Sequence, residues 1–114
     1  MTDPSMSATG DEVIRALARV LEARRHADPG QSYVASLYAR GLDTILKKVG
    51  EEALETVLAA KCGDHDELVH ETADLWFHTL VLLTYKGVDP EQVLAQLARR
   101  FGVSGHEEKA ARGR

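Results

Sequence analysis

Five acidic residues in the middle of the chain have spacings that would allow them to hold a metal ion. Glu51, Glu52 and Glu55 lie within five residues, and after fifteen intervening residues come Glu71 and Asp74. Residues three positions apart on an α-helix are about 60° apart, so the second and third glutamates share one strip and the last two acids another. Ligands that are all oxygen select a hard cation, Mg²⁺ or Mn²⁺. The spacing predicts a divalent cation held by Glu52, Glu55, Glu71 and Asp74.

Ordinary salt bridging is the competing interpretation of these acids. Lys47 and Lys48 each precede a glutamate by four positions, and such pairs stabilise an exposed helix by about 0.2–0.5 kcal/mol. This interpretation suits Glu51, which points away from the strip of the other two glutamates. It does not suit Glu71 or Asp74, which have no lysine or arginine three or four positions away. In this interpretation the two lysines are salt-bridge partners of Glu51 and Glu52.

A histidine continues the second acidic strip. Glu67, Glu71, Asp74 and His78 are spaced by four, three and four positions, so they fall within about 60° of arc on one helix. His78 is expected to be either a core histidine bonded to a neighbouring carbonyl or carboxylate, or a residue of the site. Imidazole is not a preferred ligand of a hard cation, which favours the core interpretation.

The apolar pattern predicts five helices that would position these residues. Apolar residues from Ile14 to Leu21 recur at helical spacing, Pro29-Gly30 breaks the chain, and Ser32 is suited to cap a short second helix. Asp89 begins a capping-box pattern for the last helix. No segment alternates as a strand would, so the fold class is all-α, an antiparallel bundle of about four to five helices. The predicted ranges are 11–25, 32–38, 42–62, 64–86 and 89–102.

The third and fourth helices are expected to form the centre of the bundle. Glu52 borders an apolar stripe on the third helix, and Gly50 in its interior indicates close packing, substrate approach or tolerance on an exposed face. The fourth helix is apolar on nearly every side from Leu75 to Leu83, which predicts burial within the bundle. Ionised acids on such a helix need compensation, because desolvation costs several kcal/mol per charge. The stripe consists of Leu42, Ile45, Leu46, Val49, Ala53, Val57 and Ala60.

Length and composition favour one domain that associates with copies of itself. The chain has 114 residues, of which 44% are hydrophobic but only 5% aromatic. We expect a disordered lead-in at 1–9, a helical domain at 10–103 and a polar tail at 104–114. Small helical domains often bury a second face by self-association, so a homodimer or higher homo-oligomer is expected. The single cysteine, Cys62, excludes an intramolecular disulfide and is expected to act as a small hydrophobe.

Charge and hydropathy bear on partners and location. The net charge is −4, and the chain has no basic field of the kind that nucleic acid requires, so no nucleic-acid partner is expected. The N-terminal residues have no basic segment followed by an apolar one, and no apolar run is long enough to cross a bilayer. We therefore expect a cytoplasmic protein with no membrane partner.

Longer stretches around the acids resemble a known family. EExxE at 51–55, followed by ExxD at 71–74, resembles the pattern of the MazG-like superfamily of all-α nucleotide pyrophosphohydrolases. The resemblance extends over about residues 11–112 to the bacterial phosphoribosyl-ATP pyrophosphatase family. The stretches that carry it are SYVASLYARGLDTILKKVGEEALETVLAAK, ELVHETADLWFHTLVLL and VSGHEEKAAR.

The resemblance implies a MazG-like helical fold and one particular hydrolysis. The reaction is the conversion of 1-(5-phosphoribosyl)-ATP to 1-(5-phosphoribosyl)-AMP and pyrophosphate, the second step of L-histidine biosynthesis, and it needs Mg²⁺. In the hypothesis that follows, the four acids hold the metal and one of Glu51, Glu52 and Glu55 accepts a proton from the attacking water. Phosphate contacts are expected from Lys47 and Lys48, and less strongly from Arg40. The tail residues Lys109 and Arg112 are expected to close over the substrate of a neighbouring subunit.

Two other functions are compatible with parts of the sequence. A house-cleaning pyrophosphohydrolase of non-standard or deoxynucleoside triphosphates would have the same acid pattern, although the flanking stretches argue against it. A non-catalytic helical interaction module would explain the apolar fourth helix but would leave Glu71 and Asp74 without a role. An activity assay on several nucleotides separates the first alternative, and thermal stabilisation by Mg²⁺ separates the second.

Overall fold

The structure is a computed structural model that describes residues 8–101 of the 114. The predicted polar tail at 104–114, and nearly all of the lead-in at 1–9, lie outside the described residues. Within them the fold is all-α, with five helices, one 3₁₀ turn at Arg24–His26 and no strand. The helices are α1 (Gly10–Ala23), α2 (Tyr33–Arg40), α3 (Leu42–Cys62), α4 (His65–Tyr85) and α5 (Pro90–Ala98).

Side chains cap the starts of four helices. Thr9 caps α1 by accepting a hydrogen bond from the Glu12 amide at 3.1 Å. Ser32 caps α2 as predicted, accepting from the Ala35 amide at 3.2 Å. Each cap satisfies one amide that has no partner within the helix. The remaining two caps are Asp64 on α4 and Asp89 on α5.

Gly41 lets α3 follow α2 without an intervening loop. Its φ of +97° lies in the region that favours glycine, so one residue both ends α2 and precedes α3. At the other end of α3, Gly63 and Asp64 form the whole connection to α4. This short link makes α3 and α4 an antiparallel hairpin, and they form the most extensive helix pair of the fold.

The apolar core lies at one end of this hairpin. Ile45 comes from the first half of α3, while Leu80 and Val81 come from the second half of α4. Helices α1 and α2 cover that end with Leu21, Val34 and Leu37. The predicted apolar face of α1 is confirmed, because Ile14 and Leu17 also pack against this core. The acidic half of the hairpin is therefore carried by a rigid, packed base.

Two predictions about the central helices are wrong for the single chain. Helix α4 is not buried on all sides, since Val69 is 68% exposed and Trp76 62% exposed. On α3, Val57 of the predicted stripe is 62% exposed, whereas the buried residues are Ile45, Glu52 and Ala59. These three are spaced seven apart, one every two turns, so they form the line that faces the rest of the chain. The predicted stripe shares only Ile45 with this buried line.

The last helix is shorter than predicted. Asp89 accepts a hydrogen bond from the Glu91 amide at 2.9 Å, and α5 ends at Ala98 rather than near residue 102. A capping box would have Asp89 accept from the amide three residues later. In the structure its side chain accepts from the amide two residues later instead. Arg15 of α1 pairs with Glu91, which fixes the start of α5 to the side of α1.

Candidate metal and active site

Three of the four predicted metal ligands come together between α3 and α4. One carboxylate oxygen from each of Glu52, Glu55 and Glu71 lies within 4.8 Å of the others. The first two are one turn apart on α3, and the third faces them from α4 because the hairpin is antiparallel. The set contains only carboxylate oxygens, which are the ligands that Mg²⁺ and Mn²⁺ prefer.

Burial separates this cluster from an ordinary acidic surface. Glu52 is only 5% exposed, and its Oε2 atom is buried without a hydrogen-bond partner among the described residues. Within the same part of the chain, Oε2 of Glu71 is also buried and has no partner. An unsatisfied buried carboxylate oxygen is costly, and native structures retain few such atoms. A divalent cation between the two helices would satisfy both oxygens, so the donor set fits a hard metal ion.

Lys48 is the cation nearest to the buried acid. Its Nζ atom lies 3.4 Å from Oε1 of Glu52 and 3.6 Å from Oε2 of Glu51. Desolvation lowers the pKa of Lys48, but the influence of Tyr33, Glu52 and Glu51 outweighs it, so the pKa is raised. The lysine is therefore a firmly charged group at the edge of the acidic cluster.

The other predicted phosphate ligands are less closely placed. Lys47 is highly exposed, and its only ion pair among the described residues is with Glu51 at 3.9 Å. Arg40 is exposed at the last position of α2, about 10 Å along the helix axis from Tyr33 at its start. Lys109 and Arg112 lie outside the described residues. Of the cations among residues 8–101 that were predicted as phosphate ligands, only Lys48 forms an ion pair with the buried Glu52.

The fourth predicted ligand, Asp74, is not part of the three-carboxylate group. Its side chain lies 3.5 Å from Nε2 of His70, one turn earlier on α4. This histidine is an i,i+4 partner that the sequence analysis did not consider. Asp74 is nevertheless one turn beyond Glu71, and its charge influences the same tyrosine as that of Glu52, so it borders the cluster.

His78 is a buried histidine bonded to a backbone carbonyl, as the core interpretation predicted. Its Nδ1 atom lies 2.8 Å from the Asp74 carbonyl oxygen and its Nε2 atom 2.8 Å from the hydroxyl of Tyr33. A carbonyl oxygen can only accept, so Nδ1 carries the proton, and in the neutral imidazole Nε2 accepts from the hydroxyl. The histidine thus connects α2 to α4 beside the acids.

Tyr33 is a residue of the site that the sequence analysis missed. Burial raises the pKa of its hydroxyl, and the charge of Lys48 lowers that pKa by a smaller amount. The charges of Glu52, Asp74 and Glu51 raise it too. The hydroxyl is bonded to His78, which lies one turn beyond Asp74 on α4. Tyr33 is the first residue of α2, directly after the Ser32 cap, and its distance in sequence from the acids concealed its role.

Two further predictions concern α3 itself. Gly50 is exposed, and a Cβ atom added there would meet nothing within 4 Å, so it reflects tolerance on an open face rather than close packing. Cys62 is exposed at the end of α3 and does not pack as a small hydrophobe in the core. Both features lie outside the acidic cluster.

An open pocket lies away from the acids. It has a volume of about 500 Å³ and lies between α1, the end of α4 and the start of α5, where Thr84 lines it. This residue is thirteen positions after Glu71, or about 20 Å along α4. In the described residues, no helix has the length and apolar character needed to cross a membrane.

A helical hairpin with facing acids on its two helices, as found here, is the arrangement expected of the all-α nucleotide pyrophosphohydrolases. Residues 14–101 match the model of the family described as phosphoribosyl-ATP pyrophosphohydrolase. A curated protein from Methylococcus capsulatus (strain ATCC 33009 / NCIMB 11132 / Bath), named phosphoribosyl-ATP pyrophosphatase, is 59% identical over 101 residues. That match covers 89% of this chain and 96% of the relative. The chain therefore belongs to the phosphoribosyl-ATP pyrophosphohydrolase family.

Proposed function

We propose that this chain hydrolyses 1-(5-phosphoribosyl)-ATP to 1-(5-phosphoribosyl)-AMP and pyrophosphate, the second step of L-histidine biosynthesis. Family membership over residues 14–101 and the 59% identical relative support this reaction. The structural observation that carries it is the group of Glu52, Glu55 and Glu71, in which two buried oxygens have no hydrogen-bond partner within residues 8–101. We further propose that the enzyme works in the cytoplasm.

The reaction as proposed uses Mg²⁺, for which Mn²⁺ is a substitute. Glu52, Glu55 and Glu71 would hold the cation, and Asp74 would join them by turning away from His70. When bound, such a cation neutralises charge on phosphoryl oxygens and lowers the pKa of a coordinated water. The three carboxylates lie together, and two of them have a buried oxygen without a hydrogen-bond partner among the described residues. Both observations support this proposal.

The chain's own residues have complementary roles in the proposed reaction. Lys48, charged and next to the cluster, contacts a phosphate of the substrate and offsets its repulsion by the acids. Lys47 and Arg40, both exposed, are proposed as additional phosphate contacts. One of Glu51, Glu52 and Glu55 accepts the proton of the attacking water. In the proposed closed state, Lys109 and Arg112 approach the substrate of a neighbouring subunit.

Pyrophosphate release from three nucleotides tests the assignment. We expect turnover of phosphoribosyl-ATP, and at least about 100-fold lower kcat/KM for dCTP and dUTP. Glu52→Gln and Glu71→Gln should lower kcat by about 100-fold or more, since each removes a charged group at the reacting phosphates. Glu12→Gln, an exposed glutamate on α1, is the matched control and should leave the rate unchanged. Turnover of dCTP or dUTP in preference to phosphoribosyl-ATP would contradict the assignment.

We also propose that the protein acts as a homodimer or higher homo-oligomer. Large apolar side chains are exposed along both helices of the hairpin: Leu46, Leu54, Val57, Leu58, Val69 and Trp76. Monomeric proteins rarely leave a contiguous apolar area of this kind open to solvent. A second copy of the chain would cover this apolar area with the same face.

Sedimentation equilibrium should give twice the monomer mass or a higher multiple, and Trp76→Glu should shift the measured mass toward that of the monomer. A monomeric wild type at assay concentration would refute this proposal.

A further inference from the structure

One hydroxyl group connects the two helices that carry the acids. Thr56 lies on α3, one turn beyond Glu52, and its Oγ1 atom is 2.8 Å from the Glu52 carbonyl oxygen and 3.2 Å from that of Glu71. A hydroxyl has a single proton, so the two carbonyl groups share it. Among the described residues, this is the only hydrogen bond between α3 and α4.

The second bond distinguishes Thr56 from other threonines that bond back within their helix. A threonine in a helix commonly bonds back to the carbonyl four residues earlier. Thr72, Thr79 and Thr84 do this at 2.7, 2.7 and 2.9 Å, and among the described residues none of the three bonds from α4 to α3. The cross-helix bond of Thr56 is therefore a property of its position beside the acids and not of its residue type.

The two carbonyl groups that Thr56 joins belong to the two residues with unsatisfied carboxylate oxygens. Glu52 and Glu71 present those carboxylates within 4.8 Å of each other, and like charges at that separation repel. Repulsion between the two carboxylates tends to push α3 and α4 apart at the place where a cation would be held. A shared proton between the two backbones opposes that separation.

We propose that Thr56 is a positioning residue that fixes the distance between the Glu52 and Glu71 carboxylates, so that both bind one divalent cation. This inference rests on the metal site of the proposed function. Thr56 donates its proton to backbone atoms and acts only through the two glutamates. Its removal weakens metal binding first and affects turnover through that loss.

Mn²⁺ binding tests this role without an activity assay. The binding is measured from the electron paramagnetic resonance signal of the free ion. Thr56→Val keeps the side-chain shape and removes the hydroxyl, while Thr56→Ser keeps the hydroxyl. Thr72→Val is the matched control, because Thr72 is also half-buried and bonds only within its own helix. We expect Thr56→Val to raise the Kd for Mn²⁺ about five-fold, which corresponds to about 1 kcal/mol. Thr56→Ser and Thr72→Val should stay within about two-fold of wild type.

The outcomes separate this inference from the proposed function. If the wild type binds Mn²⁺ and Thr56→Val binds it with the same Kd, the positioning role alone is overturned. Equal weakening in Thr56→Val and Thr72→Val would also overturn it, because a general loss of helix packing would then explain both. A wild type that binds no Mn²⁺ would overturn the metal site itself. Thr56→Ala, with high helix propensity, serves as the hydroxyl-free variant if the valine protein does not fold.

Discussion

Replacing Glu52 by glutamine should make the metal-free protein more stable while it abolishes activity. Glu52 is 5% exposed and carries one oxygen without a partner, yet it occupies the buried line of α3 that faces the rest of the chain. Glutamine has nearly the same shape and no charge. Its amide group is neutral and offers a donor in the place of an acceptor-only carboxylate oxygen.

The size of the gain follows from the charges around this carboxylate. Glu52 lies 3.4 Å from the Lys48 ammonium and within 4.8 Å of oxygens from Glu55 and Glu71. Coulomb's law gives about 1 kcal/mol per pair in bulk water and about 3–5 kcal/mol at an effective dielectric constant of 20. The substitution removes two repulsions and one attraction. We expect a net increase of about 0.5–2 kcal/mol in the free energy of unfolding without metal.

Urea denaturation in EDTA and in excess Mg²⁺ measures both sides of this prediction. The wild type should gain stability from Mg²⁺, by about 2.7 kcal/mol at one hundred times its Kd, whereas Glu52→Gln should gain little. Glu12→Gln should behave as the wild type under both conditions. If Glu52→Gln is less stable than the wild type in EDTA, or gains as much from Mg²⁺, the carboxylate is a structural group and our interpretation of its burial is wrong.

Three further substitutions test separate parts of the structure. Tyr33→Phe should lower the free energy of unfolding by about 1–2 kcal/mol in urea, because the buried Nε2 of His78 loses its partner; an unchanged value would refute the hydrogen bond. Gly50→Ala should raise the free energy of unfolding by about 0.5–1 kcal/mol, whereas Gly87→Ala, at φ +72°, should lower it. Destabilisation by Gly50→Ala would show that position 50 has no room for a side chain. Lys48→Met should raise KM for phosphoribosyl-ATP about ten-fold or more and Lys47→Met less than about two-fold; equal effects would contradict the special placement of Lys48.

The sequence predicted the five helices because these depend on local chemistry. Ser32 was recognisable as a cap and Asp89 as the start of a capping pattern from their type and position, and the structure confirms both as caps. The acidic spacing likewise placed Glu52 and Glu55 on one strip, since three residues make nearly one turn. The family resemblance is confirmed by the matches over most of the chain.

Contacts between helices were harder to predict, because periodicity identifies an apolar face without saying what covers it. On α3 the apolar stripe includes exposed Val57, while the line that faces the chain includes the charged Glu52. The same ambiguity made α4 look wholly buried, although Trp76 is mostly exposed in the single chain. Tyr33 could not be identified from the sequence, because only the packing of α2 against α4 brings its hydroxyl to His78.

Pyrophosphate release from 1-(5-phosphoribosyl)-ATP by the purified wild-type protein, with Mg²⁺ and again after EDTA, tests the central claim most directly. The carboxylates of Glu52, Glu55 and Glu71 meet as a cation site would require, and two of their oxygens are buried without a hydrogen-bond partner in the part of the chain that the structure describes. We expect stoichiometric release of pyrophosphate and phosphoribosyl-AMP with Mg²⁺, and loss of that release in EDTA. No release under either condition, or an equal rate in EDTA, would contradict the account.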